Sequence, residues 1–205
     1  MTKGLITVFG ASGFLGHFVL RELVKSGWRI RAAVRRPHTA QDLRVTGRVG
    51  QVQLVQANIR FRQSIDMALE GADAVINLVG VLHGKGAQSF NAVHHIAVKS
   101  IGESAAAHGI TNVVQVSAIG ANVDAKSEYL QTKAKGEAAL MAAVPSADIV
   151  RPSIQFGKGD SFFSKFAGLT AISPFLPLIG GGKTRFQPVY VGDVAAHLVG
   201  CVNRS

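Results

Sequence analysis

Cysteine is almost absent: of 205 residues only Cys201 carries a thiol, so no intrachain disulfide can form. That fits a reducing compartment, where such bridges do not persist. No secretory leader is expected at the start of the sequence either. Met1-Thr2-Lys3-Gly4-Leu5 enters an apolar strand at once, with no basic segment preceding a cleavable apolar one. The expectation is a cytoplasmic protein, or one peripheral to the inner face of a membrane. Charge is sparse as well, at 17% of residues against 47% apolar, which excludes a disordered chain. At this length one domain with a full hydrophobic core is expected.

Acidic residues are the scarcer sign, 12 against 22 basic, for a net charge of +10. The imbalance is local. Residues 29–62 hold Arg29, Arg31, Arg35, Arg36, Arg44, Arg48, Arg60 and Arg62 against Asp42 alone, an excess of seven positive charges. Such clustering points to an anionic ligand or an acidic surface. Nucleic acid is not expected, because the segment has no helix-turn-helix spacing, no zinc-ligand set and few interleaved aromatics. His83, His94, His95 and Cys201 form no metal-ligand spacing. His94 reads as a packed helix residue, and no metal is expected. No GxSxG elbow and no Lys-Ser/Thr ending to a glycine loop occur, which excludes a serine hydrolase of that type and a P-loop nucleotide site.

What is present is alternation. Short β-branched runs at Leu5–Phe9, Arg29–Val34, Gln51–Gln56, Ala74–Val79, Asn112–Val116 and Ala147–Val150 are separated by helical stretches. These helices are expected near 13–25, 64–69, 90–108 and 128–143, with a last one including 193–199. In the first, Phe14, Leu15, Phe18, Val19, Leu20, Leu23 and Val24 recur at helical spacing. The pattern predicts an α/β fold, a doubly wound parallel Rossmann sheet with helices on both faces. Residues 1–155 are expected to form this domain, and 156–205 a short, incomplete C-terminal lobe. Residues 166–182 hold no charged side chain. Pro174, Pro177 and Gly180–Gly182 interrupt them too often for a transmembrane helix. They read as a loop over a cleft, or as an apolar surface for a membrane, a hydrophobic substrate or a partner.

Gly10, Gly13 and Gly16 in Gly10-Ala11-Ser12-Gly13-Phe14-Leu15-Gly16 fall between the first strand and the first helix. The first permits the tight turn, the second lets the backbone approach a pyrophosphate, and the third lets helix and strand pack closely. The helix N-terminus offers free N–H groups and partial positive charge to the phosphates. At the end of the second strand stand Arg35 and Arg36, with no Asp or Glu to bind a ribose 2′-hydroxyl. Guanidinium groups there favour a 2′-phosphate, so NADP(H) is preferred and NAD(H) is the alternative.

The chain resembles the short-chain dehydrogenase/reductase superfamily in its extended and atypical branches. Within them it is most similar to the NAD(P)-binding accessory subunit of respiratory complex I and its bacterial relatives. The residues behind this are 8–16, Asn77-Leu78-Val79-Gly80, Val116-Ser117-Ala118-Ile119-Gly120-Ala121, Tyr129 with Lys133, Arg151-Pro152-Ser153, and Gln187-Pro188-Val189-Tyr190-Val191. The resemblance implies that Asn58 and Ile59 stand where relatives contact adenine, Asn58 replacing an Asp. It places Leu78, Val79, Gly80 and Val116 along the cofactor, and Pro152 and Ser153 near the nicotinamide. Tyr129 and Lys133 match the superfamily's YxxxK, with Lys133 lowering the phenol's pKa and holding the ribose. Ser117 is the candidate for orienting a substrate oxygen, with Ala118 and Ile119 as rivals for that slot. Extended relatives continue beyond the position of Ser205, and a shortened lobe suits cofactor binding better than turnover.

Three readings stay open. One is an NADP(H)-binding accessory or assembly factor of a membrane-associated redox complex, or a protein of the membrane surface. Another is an NADP-dependent oxidoreductase or epimerase acting on a quinone-like or sugar-nucleotide substrate, with Tyr129, Lys133 and Ser117 as its catalytic set. The third is an NADP(H)-sensing regulator.

Overall fold

The computed structural model describes residues 3–84, 86–160, 162–164 and 185–204. Six strands, β1 (Leu5–Phe9), β2 (Arg29–Val34), β3 (Val52–Gln56), β4 (Ala74–Asn77), β5 (Asn112–Val116) and β6 (Asp148–Val150), form one sheet in the order β3-β2-β1-β4-β5-β6. Every pairing in it is parallel. This is the doubly wound, Rossmann-like arrangement that the alternation predicted. Successive side chains of a strand point to opposite faces, and the strands divide their apolar residues accordingly. Ile6, Val8, Ala32, Val34, Val114 and Val116 enter one core with α1 (Phe14–Lys25) and the last helix, α5 (Val191–Arg204). Phe9, Ala33, Val75 and Val113 enter the other, against α2 (Arg62–Leu69), α3 (Ala97–Ala107) and α4 (Glu128–Ala143).

Some boundaries differ from the sequence reading, each for a local reason. β4 ends at Asn77 rather than Val79. The Asn77 side chain accepts the Val79 N–H (3.1 Å) and donates to Gln115 (2.8 Å), which turns the backbone out of the ladder. Between β2 and β3 the chain forms two short 3₁₀ turns, Pro37–Thr39 and Gln41–Thr46. The helix expected from residue 90 starts as a π-helical turn, Asn91–Ile96, before becoming α3. Beyond β6, β7 (Gln155–Phe156) pairs in parallel with β8 (Val189–Tyr190). The uncharged run 166–182 lies outside the described residues. Among those described, no helix is long and apolar enough to cross a membrane.

β1 is flanked by β2 and β4, and the register sets Phe9 opposite both Ala33 and Asn77. The carboxyl ends of the three strands are therefore level. From β1 the chain winds one way through α1 to β2, and from β3 it crosses to the other side. This is the topological switch point, where open α/β sheets leave a crevice.

Candidate functional site

The turn after β1 begins at Gly10, whose φ of +79° is a conformation that L side chains rarely adopt. A Cβ at Gly10 would stand 3.1 Å from the Val79 nitrogen, so the two loops meet backbone to backbone. At Gly16 a Cβ would lie 2.2 Å from the Ala11 carbonyl oxygen, which is how closely α1 approaches the strand end. α1 starts without a side-chain cap: its N-cap is Gly13, and no acidic residue lies in its first turn. The N–H groups of Phe14, Leu15 and Gly16 are thus the orphan donors of a helix N-terminus. They face the end that Gly13 leaves open. An anion placed there would meet three donors and the positive end of the helix dipole.

These elements wall a groove of about 310 Å³. It is lined by the predicted residues Gly10, Ser12, Gly13, Arg35, Asn58, Ile59, Leu78, Val79 and Gly80. Residues from four separate segments therefore converge on one crevice. Phe14, Leu15 and Gly16 do not line it with side chains. Leu15 is buried in the core, and Phe14 packs edge-to-face on Phe18 at 5.7 Å. Their contribution to an anion site is backbone only. Arg36 is exposed and absent from the lining, because the chain turns there into the 3₁₀ segment, its carbonyl accepting the Thr39 N–H.

The sequence reading missed Arg60 as a groove residue. Its guanidinium donates to Asn58 Oδ1 (3.4 Å) and the Ala87 carbonyl (3.2 Å) and stacks over Phe61. The signal was there in the arginine cluster, but the fold decides which arginines reach the crevice. Asn58 also turns its Oδ1 onto the Arg60 N–H (3.2 Å), so it caps its own loop while lining the groove.

Tyr129 and Lys133 share one face of α4, beside Gly80. A Cβ on Gly80 would be 3.5 Å from Lys133 Nζ. Lys133 is 6% exposed and donates to the Val116 carbonyl at 3.2 Å, at the end of β5. Burial pulls its pKa down to about 8, against the opposing influence of Glu137. Glu137, the next residue on that face, is buried and held by Arg151 through two hydrogen bonds, 3.0 and 2.5 Å. The pKa of Tyr129 is displaced upward by burial. That corrects the expectation of a phenol made more acidic by its lysine: the Nζ lies 6.0 Å from the ring centre, and desolvation outweighs its charge.

Ser117 stands directly after β5, and its Oγ is buried with no hydrogen-bond partner among the described residues. A buried hydroxyl left unpaired costs free energy unless something arrives to satisfy it. Pro152 and Ser153 are not brought to the groove. They line a separate cavity with Ile119, Val189 and the α5 residues Asp193 and His197. No cluster of metal ligands occurs among the described residues.

Residues 10–154 match a protein family described as NAD(P)H-binding. The chain is 40% identical over 195 residues to the mitochondrial NADH dehydrogenase [ubiquinone] 1 alpha subcomplex subunit 9 of Arabidopsis thaliana, covering 94% of this chain and 48% of that one. It is 33% identical over 197 residues to a ceramide reductase of Caulobacter vibrioides, covering 96% and 60%. It thus spans about half the length of the curated relatives it matches. Its fold is shared with UDP-N-acetylglucosamine 4-epimerase from Bacillus cereus, at a TM-score of 0.75 and 17% identity over 98% of this chain and 72% of that one.

Proposed function

Because this chain belongs to the NAD(P)H-binding family, and its relatives include complex I subunits, we propose that it is an NADP(H)-binding accessory or assembly component of a membrane-associated redox system. The groove at the switch point carries this reading. Its glycine turn leaves a helix N-terminus open for a diphosphate, Asn58 and Ile59 take the adenine, and Leu78, Val79 and Gly80 follow the ribose. Arg35, at the end of β2, meets a 2′-phosphate, and Arg60 adds a second cation on the same wall. The cofactor supplies hydride chemistry or, in an accessory component, a wedge that holds the domain's loops in place. In this reading residues 1–155 form the binding domain and 156–205 a partial substrate or partner lobe that is no independent domain, its last helix, α5, packing back into the core beside α1.

A second reading, an NADP-dependent reductase of a hydrophobic substrate, is favoured by one arrangement. Lys133 is anchored at the end of β5, Tyr129 stands one turn away, and the unpaired Ser117 hydroxyl directly follows the Val116 carbonyl that Lys133 holds. Those three are the catalytic set of that reading. The ceramide reductase among the relatives supports it.

Calorimetric titration of the whole chain with NADPH and NADH tests the cofactor assignment. NADPH is expected to bind at least tenfold more tightly, and Arg35→Ala to remove about 1.5–3 kcal/mol of NADPH affinity while sparing NADH. NADH binding as tightly as NADPH would sink the assignment.

A further inference from the structure

The π-helical turn before α3 carries a buried imidazole with no part in the reading above. His94 is 1% exposed, and its ring is held from three directions. The Val81 N–H donates to Nε2 at 3.0 Å. Nδ1 lies 3.4 Å from the Thr132 hydroxyl, which reaches the Glu128 carbonyl at 2.9 Å. The ring stacks on Phe90 (5.6 Å, 21°) and stands edge-on to Tyr129 at 5.2 Å. The main chain is equally close: a Cβ on Gly136 would fall 1.9 Å from the His94 carbonyl oxygen, so α4 seats directly on this turn.

The donor pattern fixes the tautomer. A backbone N–H can only donate, so Nε2 must present its lone pair, and the single ring proton sits on Nδ1, facing Thr132 Oγ1. The threonine hydroxyl accepts a hydrogen bond from Nδ1–H and donates its own to the Glu128 carbonyl. Every polar atom of the ring is then used, and the imidazole is neutral. Burial, assisted by the nearby Lys133, lowers its pKa to about 4, in agreement with this pattern.

We propose that His94 is a positioning residue that ties the groove wall at Gly80–Val81 to the face of α4 carrying Tyr129 and Lys133. It bonds the wall through Val81, bonds the helix through Thr132, and shields the phenol with its ring edge. A π-turn is the means: the extra residue per turn brings His94 to both partners at once, and such turns are common at functional sites. This rests on the dinucleotide reading for its consequence, but the clamp itself is a property of the free protein.

The test uses His94→Phe, which keeps the aromatic stack and removes both ring nitrogens. In a Tyr190→Phe background Tyr129 is the only tyrosine, so ultraviolet titration reports its phenol alone. The expected result is a Tyr129 pKa lowered by about half a unit or more, toward its ordinary value, as water enters. NADPH affinity falls roughly tenfold. His94→Gln, whose amide oxygen can accept from Val81, restores much of both. A folded His94→Phe with an unchanged phenol titration overturns the proposal. If the wild type binds no NADPH, the functional reading fails, and the phenol shift still judges the clamp. If His94→Phe does not fold, Thr132→Val decides: a phenol shift in the same direction supports the clamp, and none overturns it.

Discussion

At the scale of single residues, Tyr129 and Lys133 are each pushed toward neutrality by the same burial. The lysine's pKa falls to about 8 and the phenol's rises, so neither is charged by the other's presence alone. A phenol protonated at neutral pH suits donation to a substrate oxygen, while Lys133, bound to the Val116 carbonyl, keeps donors free beside Gly80. Tyr129→Phe separates the two functional readings. If the chain reduces a substrate, NADPH oxidation with a soluble quinone as the hydride acceptor drops about 10²–10⁴-fold, and cofactor affinity changes little. In the accessory reading, neither affinity nor association with the redox complex changes. Pull-down of that complex by both forms, beside the absorbance assay, gives the answer.

At the scale of elements, α4 organises the site. Tyr129, Lys133 and Glu137 follow at four-residue steps, so one stripe carries a phenol, an ammonium and a carboxylate. Arg151, just after β6, occupies both oxygens of Glu137 and pins the helix to the sheet edge. The Glu137 side chain is 8% exposed and that of Arg151 52%. Removing the arginine therefore leaves a mostly buried carboxylate without its partner. Arg151→Met is expected to cost about 2 kcal/mol, a fall in Tm of roughly 4–8 °C. Calorimetry at neutral pH checks it, and a Tm within a degree of wild type would show the pair to be ornamental.

For the whole molecule, the shifted groups set how stability follows pH. His94 titrates at about 4 folded against 6.5 unfolded, so its contribution is complete above pH 6.5 and is lost as pH falls from there through about 4. The loss is on the order of 3–4 kcal/mol. Lys133, at about 8 folded against 10.5 unfolded, destabilises the fold while charged, and stability climbs as pH rises from about 8 toward 10. Urea midpoints across this range should therefore rise, level off and rise again, with His94→Gln flattening the acid limb and Lys133→Met the alkaline one. A midpoint flat from pH 4 to 7 in the wild type would contradict the buried neutral imidazole.

What the sequence determined alone is what local rules govern: strand and helix periods, the glycine turn after β1, and the absence of an acid at the end of β2. β1, β2, β5 and α4 occur at the residues their patterns mark, because apolar alternation and backbone conformation are set within a few positions. Tertiary structure alone decided which arginine enters the groove, that Pro152 and Ser153 line a different cavity, and that His94 sits in a π-turn bonded to Val81. It also reversed the direction of the Tyr129 shift. Desolvation depends on neighbours that arrive from distant segments, here Phe90, His94 and Lys133 around one phenol, and no spacing along the chain encodes that enclosure.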